Sequence, residues 1–204
     1  MFNYLEKPYV KVDFKHFLVP KFNLKQEFRA KVEREIEHVK QGKKGYLLFK
    51  MNSLEDRKMI DLFYEASTQG VKIDLIIRGI CRIVPNRPFS KNIRVIRIVD
   101  KYLEHARVFV FYNNGKNDIY ISSADLMKRN LNRRVELMVP IYNETIKKEL
   151  LDILDIQLKD NVKARILGNN LYDWKKPPAG EKAIRAQIEI YNYLSSLSKN
   201  LDNS

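Results

Sequence analysis

The run Tyr46-Leu47-Leu48-Phe49-Lys50-Met51, the amphipathic stretch 54–68 and the run Val71-Lys72-Ile73-Asp74-Leu75-Ile76-Ile77-Arg78-Gly79 together decide the fold. Two apolar runs of strand length flank a segment of helix length. Asn52-Ser53 can cap the helix start, and Gly70 can end it. Strand, helix, strand in this order implies a right-handed parallel crossover. On its N-terminal side, Leu24 to Lys40 reads as a helix, with Phe28, Val32, Ile36 and Val39 recurring every three or four residues. Gln41-Gly42-Lys43-Lys44-Gly45 stops it. Residues 1–23, with Pro8, Pro20 and scattered aromatics, read as an extended, packed lead-in.

On the C-terminal side, 93–99 is a third strand and Val108 to Phe111 a fourth. Asn113-Asn114-Gly115-Lys116 turns the chain back into 118–122 as a hairpin. A further strand is expected over 135–139 and an amphipathic helix over 143–158. The stretch 161–180, with Pro177-Pro178, reads as irregular, and 181–198 as a final helix. The expected architecture is α/β: a mixed sheet sandwiched by helices, with a C-terminal helical extension. Residues 1–165 form the main unit, and 166–204 a loop and helix packed on the same domain.

The chain has 204 residues, 45% of them hydrophobic, enough to build one sizeable core. Its net charge of +13 attracts polyanions such as nucleic acid, anionic membrane, nucleotide or polyphosphate. A lysine-rich solvated surface explains the same number without any ligand. The single cysteine, Cys81, forms no internal disulfide, which fits a reducing, cytoplasmic setting. No apolar run approaches the ~18–20 residues of a membrane span. Met1 runs directly into Phe2-Asn3-Tyr4 without a leader, so the chain reads as a fragment begun at an added start codon.

Ligand crevices in α/β sheets lie outside strand ends. Arg78 sits at such an end, before Gly79. His105 lies just before a strand, between Glu104 and Arg107, where an imidazole can act as nucleophile or general acid/base. A lone histidine in such a place is more often structural. Arg107 is placed to project towards His105 and to clamp phosphate oxygens with paired hydrogen bonds. Ser122 and Ser123 follow a strand and can donate to an anion, or simply cap the segment 124–130. Glu136 is read as a carboxylate inside an apolar strand, where burial alone costs several kcal/mol and demands a cationic or imidazole partner. His16 and His38 are weaker candidates. There is no Gly-rich phosphate loop and no ligand spacing for a metal cage.

Five segments carry a resemblance over nearly the whole chain. They are Asn3-Tyr4-Leu5-Glu6-Lys7-Pro8-Tyr9, Leu75-Ile76-Ile77-Arg78-Gly79-Ile80-Cys81, Ile98-Val99-Asp100-Lys101-Tyr102-Leu103-Glu104-His105, Tyr120-Ile121-Ser122-Ser123-Ala124-Asp125 and Asp160-Asn161-Val162-Lys163-Ala164-Arg165. Together they resemble the C-terminal catalytic domain of the polyphosphate kinase family. The resemblance implies a phospholipase-D-like fold, in which two similar halves each contribute a histidine to one site, and this chain looks like the second half. It implies that Arg78 and His105 contact ATP, that Arg134 faces phosphate and that Glu136 orients the histidine of the missing half. His105 is then the catalytic residue here. The superfamily's His-x-Lys is His105-Ala106-Arg107 in this chain, so arginine stands where lysine is expected.

The implied reaction is reversible transfer of the terminal phosphate of ATP to polyphosphate through a phosphohistidine on the missing half. Arg78, Arg107 and Arg134 offset charge on the phosphoryl oxygens. Magnesium is expected to be held mainly by the nucleotide and by residues outside this chain. The implied partners are ATP or ADP, polyphosphate and the N-terminal half of the same polypeptide. The full-length protein is expected to be a homo-oligomer, cytoplasmic or peripheral to the inner membrane. The isolated fragment is expected to be inactive. Two other readings stand beside this one: half of a phospholipase-D-type phosphodiesterase, and a polyanion- or RNA-binding module resting on charge alone.

Overall fold

Alternate residues of a strand face opposite ways, and in the run 46–51 both sets are apolar apart from Lys50. Such a strand needs cover on both faces. The computed structural model describes Glu6 and residues 14–168, 172–175 and 180–202, and it provides that cover. The strands are β1 (Tyr46–Met51), β2 (Lys72–Ile77), β3 (Ile93–Ile98), β4 (Val108–Phe111), β5 (Asp118–Ser122), β6 (Met138–Ile141), β7 (Ala164–Leu167) and β8 (Tyr172–Trp174). They form one sheet in the order β6-β5-β4-β1-β2-β3-β7-β8. β1, β2 and β3 run parallel. All other pairings are antiparallel, including β1 with β4.

Helices α1 (Leu24–Lys40) and α2 (Arg57–Thr68) cover one face. Phe28 from α1 sits at its centre, with ring centroids 5.2 to 6.2 Å from those of Phe49, Phe63, Phe109 and Phe111. A short helix, α3 (Lys128–Asn132), precedes β6. Helices α4 (Glu144–Lys159) and α5 (Ala186–Asp202) cover the opposite face, where Leu154 and Ala186 meet Leu48, Ile76, Ile96, Val108 and Val110. This is the expected helix-sandwiched mixed sheet, with the parallel crossover at β1-α2-β2.

Four expectations need correcting. First, α2 starts at Arg57 rather than 54, because the Asp56 side chain accepts from Met59 N (3.1 Å) and makes the cap. Asn52 and Ser53 turn their amides to Asp125 instead. Second, the strand expected over 135–139 is β6 at Met138–Ile141, so Glu136 precedes the strand rather than lying inside it. Its register starts at Ser122 opposite Met138, beyond the point where Ser123 engages Leu137. Third, 161–180 is not irregular throughout. β7 pairs with β3 and β8 with β7, both too short to show a periodic signal. Fourth, the last helix starts at Ala186: both backbone groups of Ile184 are bonded to Asn161, and the Ala186 amide donates to Asp160. Within the lead-in, residues 14–23 are described: Leu18 bridges to Met138 and Phe14 packs edge-on against Phe22. The readings placed on 1–5, 7–13 and Pro177-Pro178 lie outside the described residues.

Candidate functional site

Because β4 is antiparallel to β1, the segment entering β4 reaches the same sheet edge as the segments leaving β1, β2 and β5. His105 and Arg107 therefore face residues 52–56, Arg78-Gly79 and 122–127. At Gly79 the backbone comes so close to the β1 exit that a Cβ would lie 2.8 Å from Asn52 O, and Gly79 N donates to the same oxygen (2.7 Å).

The imidazole of His105 is exposed and lies against the Arg107 guanidinium, with Nδ1 3.3 Å from Nη1 and Nε2 3.3 Å from Nη2. Arg107 Nη1 also donates to His105 O (3.1 Å). The other side of the guanidinium is held by Asp125, with Nε to Oδ1 at 3.2 Å and Nη2 to Oδ2 at 3.1 Å. Asp125 is buried and accepts from Asn52 N (2.8 Å) and Ser53 N (3.2 Å) as well. Burial pushes the Asp125 carboxyl up, but Arg107 and the two amides outweigh it and hold it below the usual carboxylate range.

Arg78 leaves β2 into a narrow cleft shared with Lys50, Asn52, Glu104 and Ala106. Its Nη1 is buried without a hydrogen-bond partner among the described residues. A buried guanidinium donor in that state invites an anion. Lys50, nearly buried, pairs with Glu104, the residue before His105. Burial pushes the Lys50 ammonium down despite that partner. Burial pushes Glu104 up, but Lys50, Gln187 and Gln157 together hold it below its ordinary value.

A second group sits beyond β5. Ser123 Oγ donates to Glu136, and Asn130 Nδ2 donates to the other Glu136 oxygen (2.8 Å). Arg134 lies 3.7 Å from the same carboxylate and is largely exposed. The cationic partner expected for buried Glu136 is thus Arg134, supplemented by a hydroxyl and an amide. Ser122 Oγ accepts from Ala124 N (2.9 Å) and donates to Leu137 O (3.0 Å), so its hydroxyl shapes a turn and does not cap α3. Ser122, Ser123 and Glu136 border an open hollow of about 450 Å³ whose other walls are Ile121, Val135, Leu137 and Val139.

The structure brings His105 and Arg107 into contact, places Arg78 in the cleft beside Glu104 and Ala106, and joins Ser123, Arg134 and Glu136 in a neighbouring cluster. Of the weaker candidates, His16 bonds Tyr142 Oη (3.0 Å) and His38 lies 3.9 Å from Glu35, away from this edge. Sequence reasoning missed Asp125, Lys50 and Asn130. Lys50 did leave a signal, as the one charge in an apolar strand.

The sequence model of the family described as "Polyphosphate kinase C-terminal domain 2" matches residues 17–187. The chain belongs to this family. Within the polyphosphate kinase family, the enzyme of Escherichia coli (strain K12) is 40% identical over 200 residues, covering 98% of this chain and 29% of that protein. The crystal structure of polyphosphate kinase from Porphyromonas gingivalis superposes with a TM-score of 0.94 at 46% identity, over 98% of this chain and 31% of that one. A phospholipase D family member from Salmonella typhimurium shares the fold at a TM-score of 0.53 and 12% identity, over 74% of this chain and 95% of that one. The chain thus spans less than a third of the length of the polyphosphate kinases it matches.

The described residues of this polyphosphate kinase domain offer magnesium no ready-made carboxylate cage. Among the described residues, no three His, Cys, Asp or Glu side chains gather to hold a metal. Three carboxylates near His105 are already engaged, Asp125 by Arg107, Glu104 by Lys50, and Glu136 by Ser123 and Asn130.

The lowered Asp125 and Glu104 carboxyls carry a prediction with a definite sign. A carboxylate depressed on folding contributes stability that is present above its unfolded value and is lost as pH falls through its folded value. The thermal midpoint is therefore expected to fall as pH drops below the ordinary carboxylate range of about 4, and to fall less steeply in Asp125→Asn. Equal slopes in the two proteins would remove the Arg107–Asp125 pair from that dependence.

Proposed function

We propose that this domain supplies the nucleotide- and phosphate-facing edge of a polyphosphate kinase, which reversibly transfers the terminal phosphate of ATP to polyphosphate. The observation that carries the reading is His105, exposed yet held against an arginine that is fixed by a buried carboxylate, on one edge with Arg78 and its unpartnered buried donor. In this reading the phosphoryl group passes from ATP to a histidine of the other half, and from there to the end of the polyphosphate chain. The bond between the terminal phosphorus and its bridging oxygen breaks, and ADP leaves. His105 faces the leaving oxygen and stabilises or protonates it. Arg78 binds phosphate oxygens through its free donor, and Arg134 meets them from the exposed side of the Glu136 cluster. Two of the three donor nitrogens of Arg107 are taken by Asp125. Its contribution to phosphate is therefore mostly fixed charge, together with the orientation of the imidazole.

Glu136, held by Ser123 and Asn130, borders the open hollow and orients the histidine that the other half would bring there. ATP, ADP, polyphosphate and the remainder of the polypeptide are the partners this reading requires, with magnesium carried by the nucleotide and by residues outside this chain. Self-association of the complete kinase and a cytoplasmic location go with it. Among the described residues, no helix is long and apolar enough to cross a membrane.

The test compares the complete kinase with this chain alone, each given γ-labelled ATP and magnesium. The complete kinase is expected to make polyphosphate and to carry acid-labile label outside residues 1–204. The chain alone is expected to fold, to make no polyphosphate and to retain no acid-labile label. Label on this chain, or polyphosphate made by it, would overturn the division of labour. Binding that weakens steeply with salt and shows no preference for nucleotide would favour the polyanion-binding reading instead.

A further inference from the structure

The segment 99–107 that delivers His105 has almost no core of its own. Val99 is 63% exposed, Tyr102 58% and Leu103 85%. Burial therefore does not hold it, and a loop of this kind opens readily unless polar contacts fix it. Lys50 and Gln157 hold Glu104, and Arg107 holds the His105 carbonyl; the contacts to Asp100 and Tyr102 come from the start of α5, about eighty residues later. Arg185 grips Asp100 with two parallel bonds, Nε to Oδ2 at 2.8 Å and Nη2 to Oδ1 at 2.6 Å. The buried Gln187 makes a reciprocal pair with the Tyr102 backbone, accepting from N (2.9 Å) and donating to O (2.8 Å). Gln187 Nε2 donates to Glu104 Oε1 as well (3.0 Å). The anchor is itself fixed. Asp160, fully buried, accepts from Ala186 N (2.7 Å) and from the amides of Val162, Lys163 and Ala164. Asn161 bonds both backbone groups of Ile184.

We propose that Arg185, just before α5, and Gln187, in its first turn, are positioning residues for His105, although neither touches a reacting atom. The inference rests on the functional reading above. Holding the loop fixes where the imidazole meets the leaving oxygen, and an error of about 1 Å in such a placement costs up to roughly 100-fold in rate.

The test uses the complete kinase with Arg185→Ala, Gln187→Ala and Gln187→Glu. For each, kcat and KM for ATP are measured alongside the folded fraction and the hydrogen exchange of amides in 99–107. The two alanine variants are expected to lose about 10–100-fold in kcat, with KM for ATP within about threefold and faster exchange confined to the loop. Gln187→Glu keeps the side-chain volume but removes the donors and sets a carboxylate against Glu104, so it is expected to lose more than Gln187→Ala. A packing role predicts the reverse order. Unchanged kcat in a folded variant, or a loss that merely follows the folded fraction, would overturn the proposal. A wild-type kinase that makes no polyphosphate would overturn the functional reading instead.

Discussion

Replacing His105 with alanine in the complete kinase is expected to reduce polyphosphate synthesis by about 10²–10⁴-fold, the usual loss for a positioned acid or base. The thermal midpoint should hardly move. The imidazole is exposed, and among the described residues its side-chain hydrogen-bond contacts are the two 3.3 Å approaches to Arg107. The bond from Arg107 to the His105 backbone carbonyl survives the substitution. A histidine that served the fold would give the opposite pair of results, with lower stability and near-normal turnover in whatever remains folded. Measuring turnover and thermal midpoint on one preparation separates the two. Full activity in a stable variant would remove His105 from the reaction.

Asp125→Ala is expected to damage both properties together. The carboxylate accepts from Arg107, Asn52 N and Ser53 N at a buried position. Removing it strands a largely buried guanidinium and two amides, and breaking a buried pair on one side costs about 3–5 kcal/mol. That is a large share of the stability of an ordinary domain. Arg107 would also lose the contact that holds it against His105. Denaturant unfolding of the isolated domain measures the first effect, and turnover of the complete kinase the second. A cost below about 1 kcal/mol would show that solvent or a neighbour replaces the carboxylate, and the scaffold drawn around His105 would then be wrong.

Much of the sheet was legible because its central strands are rich in apolar residues, wholly so in β4 and interrupted only at Lys50 in β1, and because Gly70 and the Asn113-Asn114-Gly115-Lys116 turn mark where segments end. β7 and β8 were not, since four and three residues are too few for alternation to show. The site was partly legible. His105, Arg78 and Glu136 stand out as polar groups beside or within apolar runs. Asp125 looks in sequence like any turn residue after two serines, and only the folded chain shows donors from three residues, Asn52, Ser53 and Arg107, converging on it. Gln187 carried no signal at all, for its partners Tyr102 and Glu104 lie 85 and 83 residues away.

The two outermost strands of the sheet bear on how the separated domain behaves in solution. A free strand edge offers unpaired backbone groups on which another molecule can polymerise. Here one margin, β6, is sealed at Met138 by reciprocal bonds with Leu18, N to O at 2.9 Å in each direction. Two residues further on stands Pro140, which has no N–H to offer. The other margin, β8, is only three residues long. Among the described residues, both borders are thus poor templates for a growing fibril, a protection against sheet-to-sheet aggregation built into the domain itself.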